Sequence, residues 1–155
     1  MRQACFALRI EPVWEMIDPV REFLLRFLSD TLKDEALGAQ VCVAAHELME
    51  NAVKYSQEDW IAVETTLQPG RLMVAVENPA HPAHLPVLLA EVRAAQAAPD
   101  PMAYLQQKIR AACERQDGKS CVGLARVRCE AGMSLDCQVR GGVVRVVALR
   151  DVAWT

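Results

Sequence analysis

Residues 44–56 read AAHELMENAVKYS, and the predicted fold is arranged around the helix that they form. Apolar residues recur here and in the two preceding turns at intervals of three and four, which is the spacing of one helical face. The set comprises Leu37, Val41, Ala44, Ala45, Leu48, Met49, Ala52 and Val53. This face is therefore predicted to lie against a hydrophobic core.

Two polar residues, Glu47 and Asn51, lie one turn apart on the border of that apolar face. Glu50 and Lys54 fall further toward solvent. Half-burying a carboxylate and an amide costs free energy unless each finds a hydrogen-bonding partner. A bound ligand is one such partner, and a solvated helix edge is the alternative interpretation.

The pattern Glu-x-x-x-Asn-Ala-x-Lys-Tyr-Ser, from Glu47 to Ser56, closely resembles the N-box of the GHKL (Bergerat-fold) ATPases. That superfamily includes histidine kinases and the anti-sigma-factor serine kinases. The resemblance implies that Asn51 binds Mg²⁺, that Glu47 is the catalytic base or positioning residue, and that Lys54 assists at the nucleotide. Mg²⁺ suits this assignment because it takes oxygen ligands shared between protein groups and phosphate.

Two further segments resemble the nucleotide-binding boxes of the same family less closely. Residues 76–80 read VENPA where the family has Asp-x-Gly-x-Gly, so Asn78 is the candidate adenine contact. A turn before the following proline is the alternative for Asn78. Residues 121–128 read CVGLARVR and resemble the glycine loop and helix under the phosphates, with Cys121 at the first glycine position and Gly123 at the second.

The helix start at residues 122–125 is predicted to direct backbone N–H groups toward phosphate. This adds Gly123 and Leu124 to the candidate ATP-binding residues. An ordinary helix start after a loop is the alternative interpretation.

The order of predicted elements, β-α-α-β-β-α-α-α-β-β, indicates an α+β two-layer sandwich with helices on one face of a mostly antiparallel mixed sheet. This is also the arrangement expected of a Bergerat fold. Turns are predicted at Gln68-Pro69-Gly70-Arg71 and at Gly141-Gly142, and a helix is predicted to start at Asp18, with Pro19 following.

Residues 79–121 contain prolines at 79, 82, 86, 99 and 101, around helical patterns at 85–97 and from Pro101 onward. Such an excursion between a hairpin and the final strands resembles a lid, and an ordinary helical connection is the alternative. Gly118 marks a break before the last predicted helix.

The composition favours one domain without a membrane or nucleic-acid surface. A chain of 155 residues with 52% hydrophobic content is sufficient for a single core. A formal charge of −3 provides no broad basic surface for nucleic acid. No apolar run approaches the length of a membrane span, and residues 1–12 lack a signal core, so a cytoplasmic protein is expected.

Within the GHKL superfamily, the small size resembles the single-domain serine kinases of partner-switching systems. The Asn-containing strand end resembles the SiaB-like branch of that group. These resemblances imply an ATP- and Mg²⁺-dependent serine/threonine protein kinase that acts on a small anti-sigma-antagonist-like protein, and they allow a homodimer. Two alternatives stay open: a non-catalytic adaptor of the same fold, and a detached ATPase domain that phosphorylates histidine on another chain.

Overall fold

Strands alternate with groups of helices along the chain, and the computed structural model describes residues 3–115 and 121–153. The predicted order of elements is confirmed over these residues. The elements are β1 (Ala4–Ile10), α1 (Ile17–Leu32), α2 (Glu35–Tyr55), β2 (Ile61–Gln68), β3 (Arg71–Pro79), α3 (Leu85–Ala97), α4 (Pro101–Glu114), α5 (Gly123–Cys129), β4 (Ser134–Arg140) and β5 (Val143–Asp151).

The described strands form one sheet in the order β1-β2-β3-β5-β4, and every neighbouring pair is antiparallel. The helices lie on one face, which carries buried residues such as Val74, Val76 and Val146. The two-layer α+β prediction is therefore confirmed, although the described sheet is wholly antiparallel rather than mixed. On the opposite face, Arg145 pairs with Glu77 at 2.6 Å and with Glu64 at 2.9 Å.

Glycine backbone conformations explain both predicted hairpins. Gly70 has a φ of 78°, as the third residue of a type II turn requires. Gly141 and Gly142 have φ values of 57° and 80°, and two consecutive left-handed residues form the type I′ turn that matches the twist of paired strands. The register of the β4–β5 hairpin follows from this turn.

α2 lies across the sheet and contacts α1, β2, β3 and α5. Its predicted apolar face is confirmed, because Val41, Ala44, Ala45, Leu48, Met49 and Ala52 are all buried. Asp34 caps its start, accepting a hydrogen bond from the Leu37 N–H at 2.9 Å. The motif residues therefore lie on a helix that packs on the sheet and contacts both α1 and α5. No helix in the described ranges is both long and apolar enough to cross a membrane.

The predicted start of α1 at Asp18 is wrong. A 3₁₀ turn at Trp14–Met16 leads directly into α1, and Met16 is the N-cap residue. Asp18 instead lies inside the first turn, where it pairs with Arg21 at 3.3 Å. Pro19 is tolerated there because the first N–H groups of a helix have no partner within it.

The predicted lid segment folds onto the remainder of the chain in its described part. α3 buries Leu88, Val92 and Ala95 in the core, and α4 contacts α5 and buries Leu105. Residues 116–120, including the break predicted at Gly118, lie outside the described residues. The structure thus places α3 within the helical layer, while a lid role stays a prediction.

Candidate functional site

Glu47 is a buried carboxylate held by an arginine from α5. Only 6% of the surface of Glu47 is exposed. Arg126 Nη1 donates to Glu47 Oε1, and the same guanidinium donates through Nε and Nη2 to Glu130 Oε2 at 3.1 and 3.0 Å. Arg126 therefore bridges the buried carboxylate of α2 and a surface carboxylate at the end of α5.

Burial raises the pKa of Glu47 above its ordinary value of 4.5, because water no longer solvates the ionised form. The Arg126 cation acts in the opposite direction and lowers this pKa, as His46 does more weakly. The Glu50 and Glu130 carboxylates raise it further. A carboxylate with a raised pKa is a stronger proton acceptor than an exposed one, which is a property of general bases.

Gly123 is the point at which the start of α5 approaches Glu47. A Cβ atom at this position would lie 2.5 Å from Glu47 Oε2 and 3.5 Å from Glu47 Cδ. Only a hydrogen atom fits there while the carboxylate keeps its place. The structure thus brings together two predicted site residues that are far apart in the sequence.

We expect Gly123→Ala to displace the Glu47 carboxylate and to lower the free energy of unfolding by about 1–3 kcal/mol, as overpacking typically does. Urea denaturation measures this change. The same substitution in a Glu47→Ala background is the control, because the clashing oxygen is then absent and the cost is expected to shrink. An equal cost in both backgrounds would contradict the proposed contact.

The other predicted α2 residues lie beyond Glu47 along the helix. Asn51 is half-buried one turn further on, and Lys54 is exposed, with its Nζ 5.0 Å from the Tyr55 ring centroid. On α5, Leu124 is 5% exposed and packs in the core, so its side chain faces away from any ligand. Only the backbone N–H of Leu124 is available for the predicted role.

Asn78 lies near the end of β3 on the helix-covered face. It is buried, pairs with Val144 in the sheet, and donates from Nδ2 to the Pro79 carbonyl at 3.2 Å. The alternative that Asn78 begins a turn is wrong, because the strand continues through Pro79. Gln57 N–H donates to the same carbonyl at 2.8 Å, so the ends of α2 and β3 are tied together.

A cleft of about 290 Å³ adjoins the Glu47–Arg126 pair on the side of α1. It is lined by Asp18, Arg21, Ala39, Cys42, Val43, His46 and Arg126. His46 Nε2 pairs with Glu50 at 3.2 Å, whereas its buried Nδ1 has no hydrogen-bond partner in the described structure. Arg126 links this cleft to Glu47, which does not itself line it.

Arg126 is the residue of the candidate site that the sequence patterns did not indicate. It follows Gly123 by three positions on α5, and residues with this spacing share one side of a helix. A contact between Gly123 and α2 therefore also predicts that Arg126 lies near α2. Its pairing with Glu47 needed the tertiary structure, since the two residues belong to different elements.

These features define an α+β two-layer protein in which a buried carboxylate on the central helix meets the start of α5. The fold is similar to that of a chain in the crystal structure of the SiaB–SiaC complex from Pseudomonas aeruginosa. The TM-score is 0.73 at 16% sequence identity, and the similarity covers 95% of this chain and 88% of that chain. No protein-family model matches the sequence, and no curated protein matches it either.

Proposed function

We propose that this protein is a Mg²⁺-ATP-dependent serine/threonine protein kinase of the partner-switching type. Its substrate would be a small protein that resembles anti-sigma-factor antagonists. The observation that carries this proposal is the contact between Gly123 and Glu47. The N-box and the glycine loop were assigned from separate segments, and a chance resemblance of either segment does not require the two to meet.

Asn51 is the residue that would hold Mg²⁺. Its amide supplies a neutral oxygen ligand on a half-buried helix face, one turn from the Glu47 carboxylate. Mg²⁺ accepts such ligands while keeping several waters, so a single protein oxygen with phosphate oxygens is a sufficient donor set. When bound, the ion would neutralise phosphate charge. The candidate ATP contacts are Lys54, Asn78 and the backbone N–H groups of Gly123 and Leu124.

Glu47 would orient the hydroxyl of the acceptor protein and accept its proton. Its raised pKa suits this role, and phosphoryl transfer depends mainly on positioning and charge neutralisation. Arg126 must then release the carboxylate or share it with the hydroxyl. The cleft beside Arg21 and His46 offers an approach for an acceptor side chain from solvent.

The structural neighbour supports a protein partner. The solved structure is of a complex named for two proteins, and its matched chain shares the present fold over nearly the whole of both chains. We therefore infer that this chain also assembles with a small protein. This inference agrees with the partner-switching resemblance of the sequence.

A non-catalytic adaptor of the same fold is the second candidate. The Glu47–Arg126 pair favours it, because an ion-paired buried carboxylate also serves a purely structural role. The absence of a glycine at Cys121 and the sequence VENPA at the end of β3 favour it too. Such an adaptor would bind its partner without nucleotide.

Calorimetric titration with Mg²⁺-ATP separates the two candidates. A kinase is expected to show saturable binding that needs Mg²⁺ and weakens about tenfold or more in Asn51→Ala, as expected when a metal ligand is lost. Gln68→Ala is the control, because it removes an exposed amide at the end of β2, opposite Arg71 at the start of β3. Lack of binding by folded wild type at millimolar nucleotide would favour the adaptor.

A further inference from the structure

β4 forms one edge of the described sheet and pairs only with β5. Ala80 directly follows β3 and Gly142 directly precedes β5. The Ala80 N–H donates to the Gly142 carbonyl at 3.1 Å, which continues the β3–β5 pairing. Antiparallel pairing alternates, so the even-numbered residues of β5 bond to β3 and its odd-numbered residues bond to β4. Through the β4–β5 register, Leu135, Cys137 and Val139 must direct their backbone groups outward.

One of these three positions is already satisfied. Gln96 of α3 accepts a hydrogen bond from the Leu135 N–H at 2.7 Å, which confirms the outward direction. For Cys137 and Val139, the described residues provide no backbone partner on the outer side. An open strand edge of this kind is a template for pairing with another strand.

The charges along β4 identify the strand that fits. Asp136, Gln138 and Arg140 alternate with the edge-bonding residues, and all three are exposed. We propose that β4 of a second copy of this chain pairs antiparallel with β4 about a two-fold axis at Gln138. Asp136 then lies opposite Arg140 of the second copy, and the same pair occurs again on the other side of the axis.

The alternation of the ladder supports this register. Cys137 and Val139 of the second copy face each other as a hydrogen-bonded pair, using the free backbone groups of both strands. Asp136 and Arg140 form the non-hydrogen-bonded pairs, whose Cα atoms lie about 4.5 Å apart and whose side chains are closest. Opposite charges at such positions stabilise strand pairing, and like charges destabilise it.

Other two-fold registers lose this complementarity. An axis at Asp136 or at Arg140 places like charges opposite each other, and an axis at Cys137 or Val139 leaves Asp136 without the arginine. The opposite sheet edge, β1, contains Arg9 as its only charged residue, and Arg9 stacks on Trp60 at 4.0 Å. The charge pattern therefore selects β4 as the edge and Gln138 as the axis.

Sedimentation equilibrium of the full chain over a concentration series tests the interface. Wild type is expected to dimerise, and Asp136→Arg or Arg140→Asp alone is expected to raise the dimer dissociation constant by about tenfold or more, since each creates two like-charge pairs. The double reversal restores both pairs and should return the constant close to wild type. Arg110→Asp, an equal charge change on exposed α4, should leave it unchanged.

Cysteine cross-linking tests the axis itself. Gln138→Cys places one thiol opposite its own copy at a separation within disulfide range, whereas Asp136→Cys does not. Under mild oxidation, only the first variant is expected to form additional interchain disulfide over wild type. A wild type that stays monomeric at the highest attainable concentration would overturn the proposal, as would a dimer indifferent to both single charge reversals.

Discussion

Under the proposed kinase function, Glu47→Gln is expected to slow phosphoryl transfer to the partner protein by about 10²–10⁴-fold, the range typical of losing a general base. The substitution keeps the size of the side chain and removes its ability to accept a proton. Arg126 keeps its hydrogen bonds to Glu130, so the fold is expected to remain intact. Single-turnover transfer of the γ-phosphate from ATP measures the rate, and calorimetry with Mg²⁺-ATP should show that nucleotide binding persists.

The pH dependence of the transfer rate is a second test of the role of Glu47. The pKa of Glu47 lies above 4.5, so the wild-type rate should rise with pH as this carboxyl loses its proton. That rise should be absent in Glu47→Gln.

Glu50→Gln is the matched control for this variant, because it makes the same change on a more exposed carboxylate of α2. Its transfer rate should stay near wild type. Full transfer by Glu47→Gln would remove the catalytic role.

Much of the fold was predictable because local rules agree with the tertiary structure. The helical pattern predicted at residues 85–97 matches the bounds of α3. The glycines at 70, 141 and 142 fix both hairpins through their positive φ values. The start of α1 was mispredicted because Asp18-Pro19 resembles a cap, while the preceding 3₁₀ turn had already begun the helix.

The candidate site was only partly predictable. Helical spacing placed Glu47 on the border of the apolar face, yet the structure buries it, because α5 covers that border. Leu124 was assigned to the nucleotide through its backbone N–H, and the structure adds that its side chain packs in the core. Spacing within one helix determines which residues share a face, but the element that covers the face depends on contacts between distant segments.

Arg126→Ala is expected to lower the free energy of unfolding by about 1–3 kcal/mol near neutral pH, because it leaves the Glu47 carboxylate buried without its cation. The estimate is reduced from that of a fully buried pair since the Arg126 side chain is 38% exposed. Urea denaturation at a series of pH values measures the loss. Arg128→Ala is the matched control on the same helix, because Arg128 donates to the backbone carbonyls of Ala95 and Met133.

The pH dependence of the stability of Arg126→Ala shows whether the loss comes from the missing charge or from lost packing. Without Arg126, the pKa of Glu47 rises further above 4.5, so the native state keeps a proton that the unfolded chain has released. The free energy of unfolding of the variant must then fall as the pH rises from the pKa of Glu47 in the unfolded chain to its pKa in the folded protein. The destabilisation caused by Arg126→Ala must therefore become smaller as the pH falls toward 4.5.

The cost of Arg128→Ala should not change in this way, because no carboxylate depends on it. In a Glu47→Gln background, the part of the pH dependence that comes from Glu47 should disappear. A cost of Arg126→Ala that is equal at about pH 5 and about pH 8 would mean that Arg126 stabilises α5 by packing alone.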